Sequence, residues 1–273
     1  MNIIILIILI LLCIFYNYNT QKQIDHKKQL DHQKQLDQNF YDINDVEPAL
    51  YKIHNKSQQI YNECMDVYYN GKWKDWPEKE LYVEEGAWKI FPFYAFGIWA
   101  KENCLKCPTI YNFLKSIPNI KLATLSLLKP HTALTPHRGW GKHSNHVVRC
   151  HYGLLVPDGC FISVCNNDIP PLYNNPETDD FINNIKQSNL KDNALVQVNV
   201  EDTIEELQFH KQFNWLILDD SKVHYANNTS DSDRIVLIID IERPEHIKTG
   251  ISQVGDTKEL NEIIKYYREQ NIE

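Results

Sequence analysis

The sequence predicts a mainly β domain of the sandwich or jelly-roll barrel kind, with helices on its flanks. Three observations predict it. Short apolar stretches recur through residues 121–241, with turn residues between them. Aromatic residues make up 11% of the chain, including fifteen Tyr and six Trp, which suits a pleated surface better than a helical bundle. Two histidines, His137 and His224, each sit where a strand meets a turn and are separated by most of the β region.

Taken in order, the chain opens on an unbroken apolar run, residues 3–16. It is shorter than the ~20 residues of a straight membrane span, and no small-residue cleavage site follows it. The reading is an uncleaved signal anchor over residues 1–20, a single-pass transmembrane tether. Residues 21–41 are low in complexity, with a hexapeptide of the Gln-Lys-Gln-Leu-Asp-His type repeated three times. A six-residue period does not keep one apolar face on a helix of 3.6 residues per turn, so a polar stalk is expected rather than a coiled coil.

Residues 42–273 have a globular composition and are read as one domain. A helix is expected over 46–69, with Leu50, Ile53, Ile60 and Met65 at helical spacing. An aromatic strand follows at 88–97, and a short helix at 108–115 starts on Pro108. Strands are then expected at 121–128, 146–156, 161–164, 194–200, 214–218 and 234–241, with Pro157-Asp158-Gly159 as a hairpin-like turn. The polar stretch 166–212 interrupts the strand series and reads as a lid or a tolerated insertion. A charged amphipathic helix closes the chain at 257–270.

The net charge of -8 and the pI near 5.8 argue against nucleic acid as the main partner, since phosphate binding needs a basic face. Seven cysteines form no short disulfide framework. Cys104-x-x-Cys107 has no second pair at matching spacing, so it reads as buried thiols or a structural pair rather than a zinc site.

Two imidazoles can hold a redox metal with coordination positions left open. The usual mononuclear iron site adds a carboxylate two residues after the first histidine, and here that position is Gly139. Asp219 and Asp220 lie near His224 in sequence and offer carboxylates that nothing in the sequence fixes as ligands. Arg149 and Arg234 each interrupt an apolar run, where an unpaired charge is costly, so each is expected to have an inward partner. A planar guanidinium fork matches a carboxylate.

Five ordered motifs carry a resemblance. They are Ser126-Leu127-Leu128-Lys129-Pro130, Pro136-His137-Arg138-Gly139, Arg149-Cys150-His151-Tyr152-Gly153-Leu154, Asp219-Asp220-Ser221-Lys222-Val223-His224, and the stretch from Arg234 through Asp240 to Arg243-Pro244. In these the chain resembles the aspartyl/asparaginyl β-hydroxylase family of 2-oxoglutarate- and Fe(II)-dependent dioxygenases. The resemblance implies a double-stranded β-helix (jelly-roll, cupin-like) with flanking α-helices and a core over about 88–244. It implies His137 and His224 as catalytic iron ligands, in the manner of members that carry glycine where the acid would be. It also implies Arg234 and Ser126 on the distal carboxylate of 2-oxoglutarate, and Arg149 and His151 on the metal-proximal one.

The implied reaction consumes O2 and 2-oxoglutarate and hydroxylates an unactivated carbon. The expected substrate is the β-carbon of Asp or Asn residues in a peptide or protein. The alternatives are a lipid acyl chain, or a jelly-roll that binds without catalysis. Lys22, Lys27 and Lys28 follow the apolar run and favour a cytosolic domain by the positive-inside tendency. The resemblance implies the opposite side, and the reading adopted is a lumenal or exported domain.

Overall fold

The computed structural model describes residues 35–173, 195–200 and 203–269, together with Lys22. The expected signal anchor and most of the stalk lie outside the described residues. Among the described residues no helix is long and apolar enough to cross a membrane.

The chain divides into two compact units. The smaller comprises residues 1–37 and 244–248. Within it Leu36 and Ile247 form a parallel bridge, and Lys248 pairs with Asp37 at 2.9 Å. The larger unit, residues 38–243 and 249–273, carries the β structure. Ordered pairing in that unit already includes Phe40, bridged to Leu218, so the β-rich unit begins a few residues before the expected boundary at 42.

The strands, in chain order, are β1 (Lys74–Asp75), β2 (Trp88–Ala95), β3 (Ile98–Trp99), β4 (Ile120–Leu128), β5 (Thr132–Ala133) and β6 (Val147–Leu155). They continue with β7 (Cys160–Cys165), β8 (Leu195–Val200), β9 (Thr203–Phe209), β10 (Trp215–Leu218), β11 (Val223–Asn228) and β12 (Arg234–Glu242). Among the described residues they form two antiparallel sheets. One has the order β1-β2-β4-β12-β6-β10, with β3 on β2; the other has the order β5-β11-β7-β9-β8. From β4 to β7, and again from β10 to β12, successive strands alternate between the sheets. That alternation makes the fold a double-stranded β-helix, the jelly-roll solution to antiparallel packing.

Two faces of burial explain the sequence pattern. In β4 and β12 nearly every residue is buried, so the strands read as continuous apolar runs rather than alternations. Inward positions face the second sheet, where Leu128, Leu218, Ile162, Val164 and Ala226 share one core cluster with Trp76 and Trp88. On the other face Tyr152 of β6 meets the helical layer, its hydroxyl 2.7 Å from Ser57 Oγ. Each such fully buried aliphatic side chain contributes roughly 1.5–3 kcal/mol over an exposed one.

The longer α-helices among the described residues are α1 (Ser57–Asn70), α2 (Lys101–Lys106), α3 (Pro108–Lys115) and α4 (Lys258–Glu269), beside the single turns Ile43–Val46 and Gly141–Ser144. The single helix expected over 46–69 is in fact a 3-10 segment, Pro48–Lys56, followed by α1. The ladder breaks at Lys56, whose ψ of 6° leaves the helical region. Glu63 of α1 accepts hydrogen bonds from the Thr109 and Ile110 amides at 2.7 and 2.9 Å, so α1 supplies the carboxylate that caps α3.

Two expectations are corrected. Pro157-Asp158-Gly159 does not close a hairpin: β6 and β7 belong to different sheets, and the turn hands the chain from one to the other. The 166–212 stretch is not simply an insertion, because its end, β9, pairs with β7 along Phe161↔Phe209 to Cys165↔Glu205.

Candidate active site

The two histidines meet across the barrel. His137 N donates to His224 O at 3.0 Å, and His224 N returns the bond to His137 O at 2.9 Å, an isolated antiparallel bridge that brings the ring centroids to 4.4 Å. Each ring also bonds the carbonyl two residues before it. His137 Nδ1 lies 2.7 Å from Thr135 O, and His224 Nδ1 lies 2.9 Å from Lys222 O. A carbonyl only accepts, so each Nδ1 carries the hydrogen and each Nε2 presents a lone pair. Burial, reinforced by the neighbouring His224, lowers His137 to about 3, and burial lowers His224 to about 4. Both rings are therefore neutral, as a metal requires.

Gly139 has a positive reason to be glycine. A Cβ built there would meet Asp220 Oδ2 at 2.0 Å. The Asp220 side chain thus occupies the space into which a residue at position 139 would project. Asp220 Oδ1 lies 3.3 Å from His224 Nε2 and 2.5 Å from Arg149 Nη1. The Arg149 contact is an ion pair without hydrogen-bond geometry, and both carboxylate oxygens are buried with no hydrogen-bond partner among the described residues. Among those residues no three His, Cys, Asp or Glu side chains stand at metal-holding spacing. The Asp220 carboxylate thus lies close to the two imidazoles.

Arg149 is clamped from the other side as well. Its Nε and Nη2 each donate to Asp240 at 2.8 Å, and His143 Nε2 donates to the same carboxylate at 2.8 Å. Burial favours a neutral Asp240, but Arg149 and His143 overcome it and hold the carboxyl well below the usual carboxylate range. His143 is far from Asp240 in sequence and reaches this carboxylate from the helical turn Gly141–Ser144.

A small cavity of about 30 Å³ lies beside the paired rings. Ser126, His137, Arg149, His151, His224 and Arg234 all line it, so the structure brings together every site residue expected from the sequence. Arg234 is 2% exposed, and its Nε and Nη1 have no partner among the described residues. Burial lowers its pKa to about 10. Ser126 Oγ accepts a bond from Trp88 Nε1 at 3.0 Å, which leaves its own hydrogen free to donate. His151 Nδ1 is 3.1 Å from His210 Nε2, while His151 Nε2 is buried without a partner among the described residues.

Trp88 of the cavity lining belongs to a wall of stacked tryptophans. Trp76 stacks on Trp88 at 4.5 Å and on Trp140 at 6.1 Å, and Glu78 accepts from the Trp76 and Trp140 indoles at 3.0 Å each. Sequence reasoning missed Asp240, Glu78, the indole stack and His210. Only Asp220 had a signal, its position four residues before His224.

A profile described as Aspartyl/Asparaginyl beta-hydroxylase matches residues 54–170 and 189–244. The chain is 27% identical over 157 residues to an ornithine lipid ester-linked acyl 2-hydroxylase of Rhizobium tropici, covering 58% of this chain and 42% of that protein. It is 36% identical over 85 residues to aspartate beta-hydroxylase domain-containing protein 2 of Rattus norvegicus, covering 29% of this chain and 24% of that protein. The chain thus spans less than half the length of these relatives. Among solved structures, a Trichoplax adhaerens prolyl hydroxylase in complex with a hypoxia inducible factor peptide aligns with a TM-score of 0.42 at 9% identity, over 70% of this chain and 80% of that one.

Proposed function

Because the chain belongs to the aspartyl/asparaginyl β-hydroxylase family, we propose that it is a 2-oxoglutarate- and Fe(II)-dependent hydroxylase acting on the β-carbon of Asp or Asn residues in a peptide or protein. The observation that carries the reading is Arg234. It is a buried guanidinium whose Nε and Nη1 have no partner among the described residues, in the cavity that both histidine rings line. A buried charge without a partner is costly, and a dianionic small molecule supplies the partner.

The residues present fit the implied groups. Two neutral imidazoles with free Nε2 lone pairs suit Fe(II), and their Nδ1–carbonyl bonds fix the ring orientation. Asp220, buried and without a hydrogen bond among the described residues, would be the carboxylate nearest a metal on these rings. Arg234 and Ser126 would receive the distal carboxylate of 2-oxoglutarate, and His151 the metal-proximal one. Arg149 already holds Asp220 and Asp240, so it would share its remaining N–H groups with that second carboxylate. Iron bound here supplies O2 activation coupled to oxidative decarboxylation of 2-oxoglutarate to succinate and carbon dioxide. The chain's part would be to orient the diacid and exclude water, for which the lining offers Trp88 and the apolar residues Leu134, Ile162 and Leu218.

A second substrate class, a lipid acyl chain, is favoured by one observation: the longer of the two relatives' matches is to a protein named for acyl 2-hydroxylation. The test is succinate formation from 2-oxoglutarate with Fe(II), followed by mass spectrometry for a gain of one oxygen on candidate peptides and lipids. No succinate from folded, iron-loaded protein would remove the hydroxylase reading and leave a binding module. Oxygen on lipid alone would replace the peptide reading with the lipid one. The apolar run at 3–16 is proposed as the tether that brings the domain to a membrane, with the domain lumenal or exported. Protease protection of the domain in sealed vesicles tests the side.

A further inference from the structure

We propose that His210 is a positioning residue for the diacid, setting the tautomer of His151 so that an N–H rather than a lone pair faces the cavity. The inference rests on the reading that the cavity takes a diacid, and it adds a residue to that machinery.

His210 follows β9, and its amide is tied to Cys160 O at 2.9 Å. Its ring lies parallel to that of His151, with 5.4 Å between centroids and 7° between planes. The two rings share one hydrogen bond, His151 Nδ1 to His210 Nε2 at 3.1 Å. Both are buried, and burial first, then His210 and Arg234 for His151 and Arg234 for His210, keeps them well below the ordinary imidazolium range. Two neutral rings allow two arrangements of that single hydrogen.

In the first, His210 donates. His151 then accepts at Nδ1 and carries its own hydrogen on Nε2. In the second, His151 donates from Nδ1 and leaves a bare lone pair on Nε2. His151 lines the cavity, and with Nδ1 turned to His210 its Nε2 is the nitrogen available to an occupant. That atom is buried and unpartnered among the described residues. A carboxylate beside it attracts an N–H and repels a lone pair, so only the first arrangement receives the diacid.

The experiment compares wild type, His210→Gln, His210→Phe and His210→Glu, loaded with Mn(II), by calorimetric titration with 2-oxoglutarate. Gln keeps an N–H donor at the Nε2 position, Phe removes it, and Glu offers only an acceptor. Expected are affinities within about threefold for wild type and His210→Gln, and losses of about 10- to 100-fold for the other two. In parallel, the nitrogen shifts of His151 in metal-free, isotope-labelled protein report its tautomer: Nε2 protonated in wild type and His210→Gln, bare in His210→Glu. Wild-type affinity in His210→Glu, or a bare His151 Nε2 in wild type, overturns the proposal while leaving the diacid reading intact. A wild-type protein that binds no 2-oxoglutarate sinks the diacid reading and this proposal with it.

Discussion

At position 139 the chain exchanges one carboxylate for another. A Cβ there would fall 2.0 Å from Asp220 Oδ2, so restoring the common His-x-Asp pattern by Gly139→Asp puts two buried carboxylates in one space. The expected outcome is loss of folded protein or of iron binding, at a cost of about 3–5 kcal/mol. The double change Gly139→Asp with Asp220→Gly relieves the clash and is expected to recover metal binding. Metal titration and melting of the three variants check it, and a stable, iron-binding single Gly139→Asp would contradict the steric account. Arg234 makes the complementary case. Arg234→Met removes a buried charge whose Nε and Nη1 have no partner among the described residues while keeping the volume, so the cosubstrate-free Tm is expected to rise. The same variant is expected to lose the stabilisation that 2-oxoglutarate gives wild type, about 2.7 kcal/mol at a hundred times Kd. Melting curves with and without the diacid decide, and equal shifts in both proteins would exclude Arg234 from the diacid site.

Among the elements, the tryptophan wall joins the turn after β1, the start of β2 and the segment after His137. Its carboxylate hinge is Glu78, which burial raises to about 7 despite the two indole bonds. An unfolded Glu titrates near ~4.3. Below that value both states hold the proton and nothing is lost. Between about 4 and 7 the unfolded chain releases its proton while the folded one keeps it, so stability falls as pH rises through this window and stays low above it. Glu78→Gln is uncharged throughout, so its Tm relative to wild type is expected to climb between pH 5 and pH 8. A difference that is flat with pH would show that Glu78 is not buried as described. The elements also show where pattern reading stops. β4, β6, β10 and β12 were legible because apolar runs bounded by turns have few other readings. β11 was not, although it carries His224: Val223-His224-Tyr225-Ala226-Asn227-Asn228 has polar ends and a preceding Asp-Asp-Ser-Lys turn, and only pairing with β7 makes it a strand. β9 was hidden by Glu205 and Glu206, of which Glu205 is buried against Ser163 and Tyr225.

In the β unit as a whole, ordered motifs placed six residues around one cavity because a jelly-roll returns strands far apart in sequence to neighbouring positions. β12, 234–242, lies between β4 and β6, which bring Ser126, Arg149 and His151 beside it. What the sequence could not show was which partners those residues already had. Asp240 on Arg149 and His210 on His151 are contacts over 91 and 59 residues, and no local pattern encodes them.

The paired histidines owe their orientation to main-chain carbonyls and to a two-way amide bridge, bonds made within the chain itself. Chelation should therefore empty the centre and leave the scaffold standing, unlike small zinc domains that unravel when stripped. A dialysed apoprotein is expected to keep its far-ultraviolet dichroism and to regain full occupancy on adding ferrous salt, with no denaturation step between. Collapse of the dichroism on chelator treatment would mean that the ion, and not the backbone, organises this end of the barrel.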